Sequence, residues 1–137
     1  MPADDQFPTI FRSSLRQPAK AEELKIVDRY TLNVGLTGPG GSLESANTMV
    51  QAGAAIIHAG GASVFIDNSC LAHGAENWLL TTEERSNDAL SFGFVGIVRG
   101  KREVWTRGMQ VPGFPDIVMS RSDADAQSIR SFAHDEF

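Results

Sequence analysis

The chain has 137 residues, 42% of them hydrophobic and 21% charged, with a formal net charge of −5. That length makes one globular domain able to bury roughly two-thirds of its unfolded surface, and the acidic balance argues against nucleic acid or an anionic membrane as the main partner, since phosphate surfaces need a basic field. The lone Cys70 excludes an internal disulfide and a cysteine-rich zinc site, and no apolar run approaches the ~18 residues that span a bilayer, so a cytosolic protein is expected.

Residues 1–24 carry Pro2, Pro8 and Pro18 among isolated apolar residues Phe7, Ile10, Phe11 and Leu15. Proline forbids a long helix, so this part reads as an extended N-terminal arm whose aromatics pack onto a single domain formed by residues 25–137. Tyr30, Leu32, Val34 and Leu36 alternate with Thr31, Asn33, Gly35 and Thr37, the period of a strand with one buried face. A Gly-rich turn, Gly38-Pro39-Gly40-Gly41, leads to Ser42, a natural N-cap. Leu43, Ala46, Met49, Val50, Gly53, Ala54, Ile56 and Ile57 then recur at helical spacing over Leu43–Ala59, and Gly60-Gly61 ends that helix. Ser63–Ile66 follows as a short strand. Strand, helix and strand in tight succession predict a right-handed parallel crossover.

Leu71–Trp78 reads as a turn or short helix and Thr81–Asp88 as a polar helical or loop segment. Phe92–Arg99 and Arg102–Arg107 flank Gly100-Lys101, which suits a two-residue hairpin loop. That register sets Gly96 opposite Trp105 and Phe94 opposite Arg107, with Val95, Ile97 and Val104 on the core face. Ile117–Met119 makes a last strand. Ser122 and Asp125 have the spacing of a capping box, before a helix lined by Ala126, Ile129, Ala133 and Phe137 with Phe132 at its edge. An apolar stripe ending on the final residue reads as a chain that lacks a C-terminal segment. The expected fold class is α+β: a two-layer mixed sheet with a parallel βαβ unit, an antiparallel hairpin, and helices packed on one face.

Two clusters have chemical potential. Gly40, Gly41 and Ser42 lie between a strand and a helix, where exposed N–H groups and the positive helix end can cradle an anion, or simply form a tight turn. The Gly-Lys-Ser/Thr ending of a nucleotide loop is absent, and Glu44 disfavours a highly charged ligand. Asp67, Asn68 and His73 fall just past the second strand, at the carboxyl end where open α/β sheets bind ligands; His73 can act as a base oriented by Asp67, or merely cap a helix. Glu76 and His58 are the nearest further metal donors, at no zinc-motif spacing, so no metal or other cofactor is expected. His58 and His134 read as complements to helix dipoles. Arg107 and Asp116 can pair across a sheet end, while Arg99, Lys101, Arg102 and Arg107 read as a solvated hairpin tip. Cys70 reads as a buried small hydrophobe, with no flanking Lys or Arg and only His73 nearby.

The ordered series Leu36–Ser42, Ala59–Ser69, Ala72–Trp78, Thr106–Met109 and Gly113–Asp116 resembles a bacterial family of uncharacterised domains, over about Arg29 to Met119. The resemblance implies no reaction, cofactor or catalytic residue. The function expected from the sequence is therefore a non-catalytic cytosolic interaction or regulatory domain, with a protein partner or self-association. The alternative is a small-ligand enzyme or anion-binding protein using the Gly-rich turn with Asp67, Asn68 and His73, its ligand small and polar.

Overall fold

The computed structural model describes residues 3–123. Its elements run α1 (Phe7–Ser13), α2 (Ala21–Asp28), α3 (Leu43–His58), β1 (Ser63–Ile66), β2 (Leu71–Gly74), α4 (Ala75–Glu84), α5 (Asn87–Phe94), β3 (Gly96–Arg99), β4 (Glu103–Arg107) and β5 (Val118–Ser120). This is an α+β protein with two small antiparallel sheets, β1-β2 and β3-β4-β5.

Helix α3 forms as its sequence dictates. Ser42 has extended backbone, and its Oγ accepts from Ser45 N–H at 3.0 Å. At the other end Gly60 takes φ +116, Gly60 N–H donates to Ile57 O, and Gly61 N–H donates to Ile56 O. That pair of bonds is a Schellman stop, which needs glycine at the left-handed position. Ala46, Val50, Gly53, Ala54 and Ile57 are buried, while Leu43 stays exposed.

The β1-β2 hairpin is buried on both faces, and strand alternation shows how. Ile66 and Leu71 join α3, α4 and α5 in one apolar cluster around Trp78 and Phe94, with Val64 packed against it, and His73 stacks beside Trp78 at 5.2 Å between ring centroids. On the opposite face Ala72 meets Phe11 and Val27, with Phe65 and Phe7 packed alongside. Helices thus cover this sheet from both sides rather than from one.

The parallel βαβ unit is not formed. Residues 31–37 belong to neither sheet, and β1 pairs antiparallel with β2, Ile66 opposite Leu71. A four-residue turn, Asp67–Cys70, brings β2 back at once, and closing so short a loop costs less entropy than a crossover through a sixteen-residue helix. Leu71–Gly74, expected as turn or helix, is that returning strand. Among the described residues a parallel bridge joins Leu15 and Ala72, where Arg16 N–H donates to Ala72 O and Ala72 N–H to Ser14 O.

The N-terminal segment is helical rather than extended. Pro8 falls in the first turn of α1, where its missing N–H costs nothing. Its aromatics do pack on the body: Phe7 lies edge-on to Tyr30 and Phe65 at 5.5 and 5.2 Å. Glu23 ties two helix starts together, its carboxylate accepting from Lys20 N–H at 2.9 Å and from Glu76 N–H, in the first turn of α4, at 3.0 Å. Gly74 is bare beneath it, since an added Cβ would collide with the Glu23 carboxylate.

The second hairpin differs from its expected register by two residues. Gly96 pairs with Arg107 and Val98 with Trp105, and Gly100 N–H donates to Glu103 O at 2.8 Å. The tip is therefore Lys101-Arg102, two charged side chains left in water. The indole of Trp105 covers Gly100 rather than Gly96, for a Cβ on Gly100 would meet the ring at 3.0 Å. Phe92 and Phe94 belong to α5. Val104 in the central strand is buried, but Ile97 is 50% exposed because β3 is an edge. β5 sits close to its expected place. The expected helix with Ala126, Ile129, Phe132, Ala133 and Phe137 lies outside the described residues, as does His134.

Candidate functional site

The Gly38–Gly41 turn is exposed at the start of α3, as an anion cradle requires. Its donors are partly engaged, however. Gly41 N–H donates to Val111 O at 3.0 Å, and Ser42 Oγ, besides capping Ser45 N–H, donates to Ser45 Oγ at 2.9 Å. The loop carrying Val111 presses close: a Cβ on Gly113 would stand 2.5 Å from Gly41 O. Gly41 and Gly113 both take positive φ, the conformation that lets the two turns nest. Gly40 is open by comparison, Val111 being its nearest neighbour at 3.8 Å.

Asp67 and Asn68 are exposed in the β1-β2 turn, but His73 is 1% exposed on β2. Its Nε2 lies 2.9 Å from Gly93 O. A carbonyl only accepts, so Nε2 carries a proton, and in the neutral ring Nδ1 is the bare nitrogen. Nδ1 is buried with no hydrogen-bond partner among the described residues. Burial lowers the His73 pKa, and the Arg16 charge lowers it further, against the opposing effect of the Gly93 bond. Trp78 and Phe92 flank the ring at 5.2 and 6.1 Å. The hydrogen bond that orients His73 is thus donated by its Nε2 to Gly93 O, and Asp67 is not its partner. Glu76 is likewise committed, its carboxylate paired with Lys20 at 2.9 Å, and no group of three or more potential metal ligands occurs among the described residues.

The Gly108–Phe114 loop touches both clusters. Gly108 packs against Ser69 and the Phe94 carbonyl, with no room for a side chain, while Val111 and Gly113 meet Gly41. Asp116 organises this loop, accepting from Thr106 Oγ1 and Met109 N–H at 3.1 Å and from Gln110 Nε2 at 2.7 Å. The expected Arg107–Asp116 pair is consequently absent, its carboxylate already filled.

Two cavities flank these segments. A groove of about 480 Å³ runs between Leu36–Pro39 and the first turns of α3, with Glu44, Thr48 and Met49 in its wall. A cleft of about 330 Å³ opens between the β1-β2 turn, β3 and the stretch after α1. None of Gly40, Gly41, Ser42, Asp67, Asn68 or His73 lines either one. Cys70 lines the second. It is exposed, not buried, and takes φ +56 at the end of its turn. Arg16 and Arg107 line the same cleft, brought there by the fold from far away in sequence. Nothing in the local spacing around Ser13–Arg16 signals this.

Comparison with protein-family models, curated proteins and solved structures finds no match to this chain.

Proposed function

We propose that this chain is a non-catalytic cytosolic interaction domain that pairs with a second copy of itself through the extended segment 31–37. The observation that carries the reading is the exposure of a strand-patterned sequence: Leu32 and Val34 are each 65% exposed and Leu36 is 45% exposed. These residues alternate with polar or small ones in the period of a half-buried strand, and apart from a bridge made by Leu32 the segment belongs to neither described sheet. It carries no charge between Thr31 and Thr37, so two copies of an acidic protein meet here without like-charge repulsion. Antiparallel pairing about a twofold axis is self-complementary, each copy offering the same apolar face.

Light scattering over a concentration series tests this. The parent chain is expected to dimerise, and Val34→Lys, which sets like charges into the shared strand pair without touching the core, is expected to remain monomeric with an unchanged circular dichroism spectrum. A parent that stays monomeric at every concentration, or a variant that dimerises equally well, would contradict the reading.

A further inference from the structure

The cleft of about 330 Å³ is walled by Ser13, Ser14 and Arg16 at and after the end of α1, by Ser69 and Cys70 in the β1-β2 turn, and by Arg107 at the end of β4. We propose that it binds a small phosphate-type oxyanion, free or as a phosphate monoester, between the Arg16 and Arg107 guanidinium groups.

The chain carries 17 Asp and Glu against 12 Lys and Arg, yet two arginines and no carboxylate line this cleft. Arg12 pairs with Asp28 and Lys20 with Glu76, whereas the hairpin-tip cations Lys101 and Arg102 are solvated. Arg16 and Arg107 have no ion-pair partner among the described residues. The carboxylate nearest to Arg107 by sequence pattern, Asp116, is occupied by Thr106, Met109 and Gln110. An oxyanion in a cleft lined by two arginines meets their planar forks of donors.

The walls of the cleft are held in place by packing and hydrogen bonds. Arg16 is held by its N–H to Ala72 O at 3.0 Å, and its guanidinium lies 4.9 Å over the Phe92 ring. Arg107 is pinned by pairing with Gly96, itself packed against the Ser69 carbonyl. Ser69 is 5% exposed, and its Oγ has no hydrogen-bond partner among the described residues. A buried hydroxyl without a partner is costly, and Ser69 lines the cleft in which an oxyanion would supply an acceptor. The volume suits a ligand at the small end of the usual range for binding pockets, roughly 300–1,000 Å³.

The test is calorimetric titration of the parent chain with inorganic phosphate, with a small phosphate monoester and with acetate, at constant ionic strength. Binding of both phosphates in preference to acetate is expected, weakened at least about tenfold in Arg107→Gln by loss of a charge-assisted bond. Arg107 is exposed, so this variant is expected to fold normally, and circular dichroism checks it. Cys70 gives a second readout at the cleft wall. Phosphate should slow its alkylation by an uncharged reagent in the parent but not in Arg107→Gln. Phosphate binding that is absent at tens of millimolar, no stronger than acetate, or equal in the variant overturns the proposal. So does a Cys70 alkylation rate indifferent to phosphate.

Discussion

His73 is held neutral by its surroundings. Burial and the nearby Arg16 charge place its folded-state pKa below the ordinary 6.5, so the unfolded chain binds the proton more readily than the folded one. The stability this group contributes is present above about pH 6.5 and is lost as pH falls from there towards the lowered folded value. Urea unfolding followed from pH 7.5 down to 5 should show that loss, and His73→Leu should flatten the slope even if its overall stability is lower. An equal slope in the variant would place the titration elsewhere. Gly53 has a comparable constraint. Trp78 Nε1 donates to Val50 O at 3.1 Å, and a Cβ on Gly53 would sit 2.8 Å from that nitrogen. Gly53→Ala, which in a free helix gains stability, is expected here to cost about 1–3 kcal/mol by overpacking. Denaturant unfolding decides the sign. The sequence reveals Gly53 as part of an apolar face but not the indole that needs it, because Trp78 arrives from another helix.

At the scale of elements, Glu23 is the residue on which two helix starts depend. Glu23→Ala removes an acceptor from both Lys20 N–H and Glu76 N–H, and a loss of about 1–2 kcal/mol is expected, measured by chemical denaturation. A change within a few tenths would show that water replaces the carboxylate at both sites. What was legible in the sequence follows the range of the forces involved. Helix α3 is readable because Ser42, the three-to-four spacing and Gly60-Gly61 all act within a few residues. The second hairpin is readable as a hairpin, but its turn is not: Gly100 looks like a turn residue, whereas it is the last paired position, kept bare for Trp105. A slip of two leaves every side chain on its own face, so the hydrophobic pattern gives no warning of it. The Arg16–Arg107 cleft was invisible, since it depends on α1 docking beside β2.

At the scale of the molecule, period-2 patterning in Tyr30–Leu36 identifies an extended segment but not its partner. The shortest loop claimed β1 for β2, and the hairpin took helices on both faces, so the segment that resembles a first strand was left with Leu32, Val34 and Leu36 facing outwards. Strand pairing between copies, as proposed above, would cover this apolar surface. Amide hydrogen exchange as a function of protein concentration tests that pairing most directly. Amides within residues 31–37 should exchange progressively more slowly as concentration rises, while β1, β2 and α3 stay unchanged. Exchange in 31–37 that is independent of concentration would contradict it.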